Sequence, residues 1–161
     1  MKRITITQKQ NYLEYSKQRR FFQFLTLLFV LFIWSNSLQP ASTSSSISSG
    51  IFATLQDFWI QTFYGPFPVS HHLLRKLGHF SEFLVFGVLA TVTAFTEKND
   101  SRLLKYKTLY FGLLTAFIDE TIQYFSPGRS PEVTDILIDY SGFCFGFFIV
   151  YLILRKYQTM Y

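Results

Sequence analysis

The sequence predicts an all-α integral membrane protein, a bundle of four transmembrane helices. Of its 161 residues, 49% are hydrophobic and 20% are aromatic, which is a high share for a soluble domain. The chain contains apolar stretches of about 20 residues, the length that a helix needs to cross a bilayer. Its basic residues cluster in segments that alternate with these stretches. The length fits a single domain.

The apolar pattern divides the chain into one membrane domain and two polar tails. We expect residues 1–20 to be a cytoplasmic tail with little fixed structure, residues 21–154 to form the membrane domain, and residues 155–161 to be a second cytoplasmic tail. The predicted spans cover about residues 21–39, 72–95, 104–125 and 132–154.

The first span also has the form of a secretory signal peptide. Arg19-Arg20 precedes its apolar centre, and Pro40-Ala41-Ser42 could serve as a cleavage region. We favour a retained helix, because Trp34-Ser35-Asn36 continues the span in polar form, as a helix facing protein partners would.

Between the first two spans, the sequence pattern predicts a linker followed by a short helix. Ser42–Ser49 is rich in serine, and we interpret it as the linker. In Ile51–Phe63 the apolar residues recur at helical spacing, which is typical of an amphipathic helix lying on the outer membrane surface. An ordinary helix packed over the bundle is the alternative. Tyr64–Pro68 then turns the chain back into the membrane.

The distribution of positive charge predicts the orientation. Twelve of the fifteen basic residues lie in the N-terminal tail, in Thr96–Lys107 and at the C-terminal end. The opposite loops contain only Arg129, with Arg75 and Lys76 at the edge of a span. Because cytoplasmic loops are rich in lysine and arginine, we expect both termini to be cytoplasmic. The net charge of +5 therefore reflects topology, and we expect no binding to nucleic acid.

Polar residues share single faces of three predicted spans when they are placed at 100° per residue. Those faces carry Arg75, Lys76, His79 and Glu82 on the second span, Asp119, Glu120 and Gln123 on the third, and Asp135 and Asp139 on the fourth. His79, Asp119 and Asp139 each lie roughly 10 Å below the outer end of their helix. A charge facing lipid costs several kcal/mol, so we expect these groups to converge on an outward-opening pocket.

The residue types suggest two kinds of chemistry. His79, with Asp119 or Asp135, could act as acid and base. The candidate ligand-binding residues are Arg75, Lys76, Glu82, Glu120, Gln123, Arg129 and Asp139. Three of these are cations near the interface, where a lipid phosphate would lie. Gly142 and Gly146 would let another helix pack closely beneath the pocket.

No standard cofactor motif occurs. The sequence has no HExxH, no CxxC and no phosphate loop, and we predict no cofactor. The carboxylates outnumber the cations, so some must be protonated, or a cation or basic ligand must balance them. Whether a metal ion is bound is left open.

Each of these residues also has a structural interpretation. Arg75 and Lys76 could mark the membrane interface, and His79 could join two helices by a hydrogen bond. Asp119 and Asp135 could neutralise arginines in an ion-pair network, and Arg129 could be a solvated turn residue.

The combined pattern resembles the VanZ-like family of small bacterial membrane proteins, from about Phe21 to Leu154. The residues that carry the resemblance are Lys76, His79, Glu82, Phe83 and Gly87, then Asp119, Glu120, Gln123 and Arg129, then Asp135, Asp139, Gly142 and Gly146. The chain departs from the pattern at Asp139, where many members carry asparagine.

The resemblance implies a multi-pass protein of the bacterial cytoplasmic membrane. The founding member is associated with teicoplanin resistance, so we expect a cell-envelope protein that protects against glycopeptide or lipoglycopeptide antibiotics. Its pocket would engage a membrane lipid, a lipid-linked wall precursor or the antibiotic. The alternatives are an intramembrane enzyme acting on an envelope lipid, a small ion-coupled transporter, and a structural bundle that recruits partners.

Overall fold

The protein folds into long α-helices. A computed structural model describes residues 6–96 and 102–158, and this part of the chain contains five helices and no strand. The helices are α1 (Ile6–Ser37), α2 (Ala41–Phe63), α3 (His71–Phe95), α4 (Arg102–Phe125) and α5 (Val133–Gln158). The predicted all-α class is confirmed. The predictions for residues 1–5, 97–101 and 159–161 lie outside the described residues.

Three of the described helices are long and apolar enough to cross a membrane. They cover Glu14–Ser37, His71–Phe95 and Val133–Lys156. The third predicted span, residues 104–125, corresponds to α4, which has 24 residues but is not among them. Asp119, Glu120 and Gln123 fall in its last two turns and lower its hydropathy. The structure thus supports three of the four predicted spans by length and composition.

Two segments predicted to lack regular structure are helical. Residues 6–20 belong to α1, so the prediction of a tail with little fixed structure is wrong for them. They extend a helix that the apolar stretch already nucleates, and elongation is far easier than nucleation. The predicted linker Ser42–Ser49 is also wrong, because it forms the first turns of α2. There the Ala41 N–H donates to the Pro127 carbonyl at 3.0 Å, which fixes the start of the helix.

The other helix boundaries match the expectation to within a few residues. α1 continues through Trp34-Ser35-Asn36 and ends at Ser37. Ser70 caps α3, since its hydroxyl accepts a hydrogen bond from the Leu73 N–H at 3.1 Å. The turn between α4 and α5 contains Gly128 at φ 74°, a left-handed conformation that glycine adopts without strain.

Helix α2 lies against one edge of the bundle and contributes nothing to its core. None of its residues is buried. It contacts the start of α3 through Phe52, whose ring meets those of His71 and Phe67 edge to face. Ile51 and Phe58 on α2 stay exposed, so the helix presents apolar surface away from the bundle.

The core forms where α3 and α5 pack most closely. A Cβ atom added to Gly142 or Gly146 would collide with backbone atoms of α3, and one added to Gly87 would collide with backbone of α5. The core residues fill the space between these helices, α1 and α4; they are Val30, Ile33, Phe83, Phe86, Ala90, Ala116, Phe143 and Phe147. Glycines on both helices therefore set the short distance between α3 and α5.

The outer surface of the bundle is apolar. Large hydrophobic side chains such as Leu31 on α1, Phe117 on α4 and Leu152 on α5 are about half exposed or more. At the same time, Asp119, Glu120 and Asp139 are buried inside. This inside-out polarity is what a bundle surrounded by lipid requires.

Substitution of Gly142 should separate α3 from α5. In Gly142→Val the new side chain meets the Phe80 backbone, which cannot rotate away. We expect the variant to lose about 1–3 kcal/mol of stability, the usual range for overpacking. The readout is the thermal unfolding of the protein in detergent.

The matched control is Gly78→Ala on α3, where an added Cβ meets nothing within 4 Å. This variant should keep or slightly raise the unfolding temperature, because alanine favours helix over glycine. Equal unfolding temperatures for the two variants would contradict the close packing.

Candidate functional site

Three helices each deliver one ionisable side chain to a single point inside the bundle. The residues are His79 from α3, Asp119 from α4 and Asp139 from α5, and we call them the buried triad. One nitrogen or oxygen atom from each lies within 4.8 Å of the other two. Both aspartates are almost inaccessible, at 1% and 0% exposed. The three residues that the sequence analysis placed at equal depth therefore lie together in the structure.

Asp139 is the most isolated member of the buried triad. Its Oδ1 lies 3.5 Å from His79 Nδ1, which is close enough for an ion pair. The geometry does not make a hydrogen bond, and neither Asp139 oxygen accepts one from the described residues. A buried carboxylate without donors is unfavourable, so its charge needs another compensation.

Asp119 is held in place from two sides. Ser37, the last residue of α1, donates its hydroxyl to Asp119 Oδ1 at 2.6 Å. Gln123, one turn along α4, donates its amide to Oδ2 at 2.9 Å. These bonds fix the carboxylate plane and leave each oxygen one further acceptor position.

Arg129 closes the end of α1. Its guanidinium donates to the Gln39 carbonyl at 3.1 Å, the Asn36 carbonyl at 3.2 Å and Gln123 Oε1 at 3.1 Å. The two carbonyls lie at or just beyond the end of a helix, where a cation is favoured. Burial lowers the pKa of this guanidinium, yet an arginine stays charged at neutral pH. Arg129 is thus partly buried and joins the end of α1 to α4; we call its three hydrogen bonds the Arg129 clasp. Arg129 also lines the cavities described below.

Two glutamates flank the buried triad. Glu82, one turn after His79, accepts a hydrogen bond from the Asn36 amide at 3.0 Å. Glu120 accepts one from the Glu132 N–H at 2.6 Å through Oε1. Its other oxygen is buried without a hydrogen-bond partner among the described residues.

Lys76 and Asp135 form a separate ion pair nearer the end of the bundle. Lys76 Nζ lies 3.0 Å from Asp135 Oδ1 and 3.5 Å from Glu132 Oε2. Asp135 is therefore engaged by a lysine, whereas Asp139 is not. Arg75 is exposed and makes no hydrogen bond or ion pair within the described part of the chain.

Two cavities open beside these residues. The larger, of about 390 Å³, is lined by polar groups, including His79, Glu82 and Arg129, and by apolar side chains, including Ile47 and Leu77. We call it the amphipathic cavity. The smaller, of about 270 Å³, is more polar; its lining includes Gln123, Arg129, Glu132 and Asp135. Arg75 and His79 line both cavities.

The structure adds three polar residues to those selected from the sequence. Asn36 and Ser37 on α1 bind Glu82 and Asp119, and Ser126 donates its hydroxyl to the Ser37 carbonyl at 2.7 Å. The available signal was the polar end of the first span, which we interpreted as a surface for protein partners and did not assign to the pocket. Serine and asparagine are too common near helix ends to be assigned a partner from sequence alone.

The chain matches the VanZ/LLP1 family model over residues 22–155, which is most of its length. That range includes the buried triad and all lining residues of the two cavities. No curated protein and no solved structure gives a significant match to the chain.

Replacement of Arg129 by lysine should weaken the clasp although the charge is kept. A lysine cannot reproduce the planar fork that reaches two carbonyls and Gln123 together. Hydrogen bonds to a charged group contribute about 1.5–3 kcal/mol, so we expect Arg129→Lys to lose stability of that order in thermal unfolding.

The control for this variant is Arg75→Lys, at an exposed arginine without such bonds. It should change stability by no more than about 0.5 kcal/mol. If Arg129→Lys unfolds at the same temperature as Arg75→Lys, the clasp does not stabilise the end of α1.

Proposed function

The chain belongs to the VanZ/LLP1 family, and from this premise we propose that it is a VanZ-like protein of the bacterial cell envelope. Its amphipathic cavity would engage a lipid-like ligand, and its role would be protection against glycopeptide or lipoglycopeptide antibiotics such as teicoplanin. The observation that carries the proposal is the composition of this cavity, whose lining combines charged and polar groups with apolar side chains.

We infer a four-span topology in the cytoplasmic membrane with both termini inside. Helix α4 is long enough to cross, its exposed face is apolar at Leu113 and Phe117, and both of its carboxylates are buried in the bundle. Under this topology both cavities open to the outer side. The exposed apolar side chains of α2, such as Ile51 and Phe58, then suit a helix lying on the outer membrane surface.

The charges of the cavities favour an anionic head group on the ligand. Arg75 lines both cavities with an unengaged guanidinium, while Lys76 is committed to Asp135. Arginine binds phosphate and carboxylate through two parallel hydrogen bonds. The apolar lining residues, which include Ile47 and Leu77, would contact an acyl or polyprenyl chain. A lipid-linked wall precursor and a lipid-tailed glycopeptide both have this combination.

Removal of the Arg75 charge should abolish protection. In a teicoplanin-sensitive Gram-positive host, we expect the wild-type protein to raise the inhibitory concentration and Arg75→Gln to return it toward the vector level. The lost charge-assisted hydrogen bonds would weaken ligand binding at least about tenfold. The measurement is teicoplanin susceptibility at matched membrane levels.

Asp57→Asn is the matched control, because it also changes one charge but at an exposed position outside both cavities. It should protect as well as the wild type. If Arg75→Gln protects as well as the wild type, the charge of Arg75 in the cavities is not needed for protection. A wild-type protein that gives no protection would refute the resistance role.

An intramembrane enzyme acting on an envelope lipid is the second candidate. The 3.5 Å contact between His79 and Asp139 favours it, because a paired histidine and carboxylate is a common acid–base arrangement. Asp119 lies beside them, whereas Asp135 is engaged by Lys76. Turnover of a lipid-linked precursor by purified protein, and its loss in His79→Gln, would establish this activity in place of simple binding.

A further inference from the structure

The buried triad has the composition of a metal site. His79 offers a ring nitrogen, and Asp119 and Asp139 each offer a carboxylate oxygen, all within 4.8 Å of one another. In a tetrahedral site, ligand atoms at 2.0–2.2 Å from a metal ion lie roughly 3.3–3.6 Å apart. The most distant pair of the three atoms would need to close by up to about 1.5 Å to share one ion, a shift within reach of side-chain rotation.

Asp139 provides the second, independent sign of a ligand. Its side chain is completely buried, and both oxygens lack a hydrogen-bond donor among the described residues. His79 Nδ1 is unpartnered in the same way, and it faces Asp139 Oδ1 at 3.5 Å. Polar atoms that are buried together without partners are expected where an ion satisfies them.

The supporting residues resemble the outer shell of a metal centre. Ser37 and Gln123 each donate a hydrogen bond to Asp119 and fix the direction of its free acceptor positions. Gln123 is itself held by Arg129. Such outer bonds orient metal ligands and raise affinity.

Charge balance points to a divalent cation. Two ionised aspartates and a neutral imidazole carry two negative charges, which one divalent ion neutralises. The nearby lysine and arginine do not pair with these aspartates in the described structure. Lys76 binds Asp135 and Glu132, and Arg129 binds an amide and two carbonyls.

We propose that His79, Asp119 and Asp139 bind a divalent transition-metal ion. One imidazole and two carboxylates suit Zn²⁺ or Mn²⁺, which both accept mixed nitrogen and oxygen ligands. The remaining coordination positions would face the amphipathic cavity, which His79 and Ser37 also line. An anionic oxygen of the cavity's ligand could bind there directly.

Equilibrium dialysis with elemental analysis tests the proposal. The full-length protein would be purified in detergent without a histidine tag, stripped with a chelator and dialysed against Zn²⁺ or Mn²⁺. We expect about one ion per chain for the wild type and for Asp57→Asn. Asp139→Asn should lose the ion, while Ser37→Ala should bind about 10- to 100-fold more weakly, as outer-shell changes do.

A second measurement covers the case in which Asp139→Asn fails to fold. Co²⁺ added to the wild type should give visible absorption bands of a protein-bound ion, and Zn²⁺ should displace them. A wild-type protein that binds no ion, or ions retained equally by folded Asp139→Asn, would overturn the proposal. The result does not depend on the proposed function, because metal content is measured without lipid or antibiotic.

Discussion

The structure depends on the burial of carboxylates inside a bundle whose outside is apolar. Asp119 and Asp139 are nearly inaccessible, and Asp139 accepts no hydrogen bond from the described residues. An arrangement of this kind is stable only if a charge or a donor faces each oxygen. Ser37 and Gln123 meet this requirement at Asp119, and His79 faces Asp139. The same three residues also line the cavities.

The helices are arranged so that the polar groups can meet. Glycines at 87, 142 and 146 bring α3 and α5 together, and this places His79 opposite Asp139. The end of α1 then reaches the same level, where Ser37 binds Asp119 and Arg129 binds the last carbonyls. Packing and electrostatics are therefore coupled, because a shift of α5 along α3 would also break the buried triad.

The sequence predicted the all-helical class and the convergence of His79, Asp119 and Asp139, since both follow from periodicity and rise per residue. It did not predict which charges pair. Lys76 and His79 share one helix face, and Asp135 and Asp139 share a face of another helix. Only packing decides that Asp135 meets Lys76 while Asp139 meets His79. The serine-rich start of α2 was missed for a similar reason. Its helix is anchored by a contact with Pro127, far away in sequence.

The proposed topology requires the polar cavities to open to the outside of the membrane. In a Cys144→Ser background, which removes the chain's single cysteine, Ser44→Cys on α2 would place a thiol in the lining of both cavities. A membrane-impermeant thiol reagent should label it in intact cells. Lys156→Cys, near the other end of α5, should react only after permeabilisation. The reverse pattern would contradict the proposed orientation and the outward opening of the cavities.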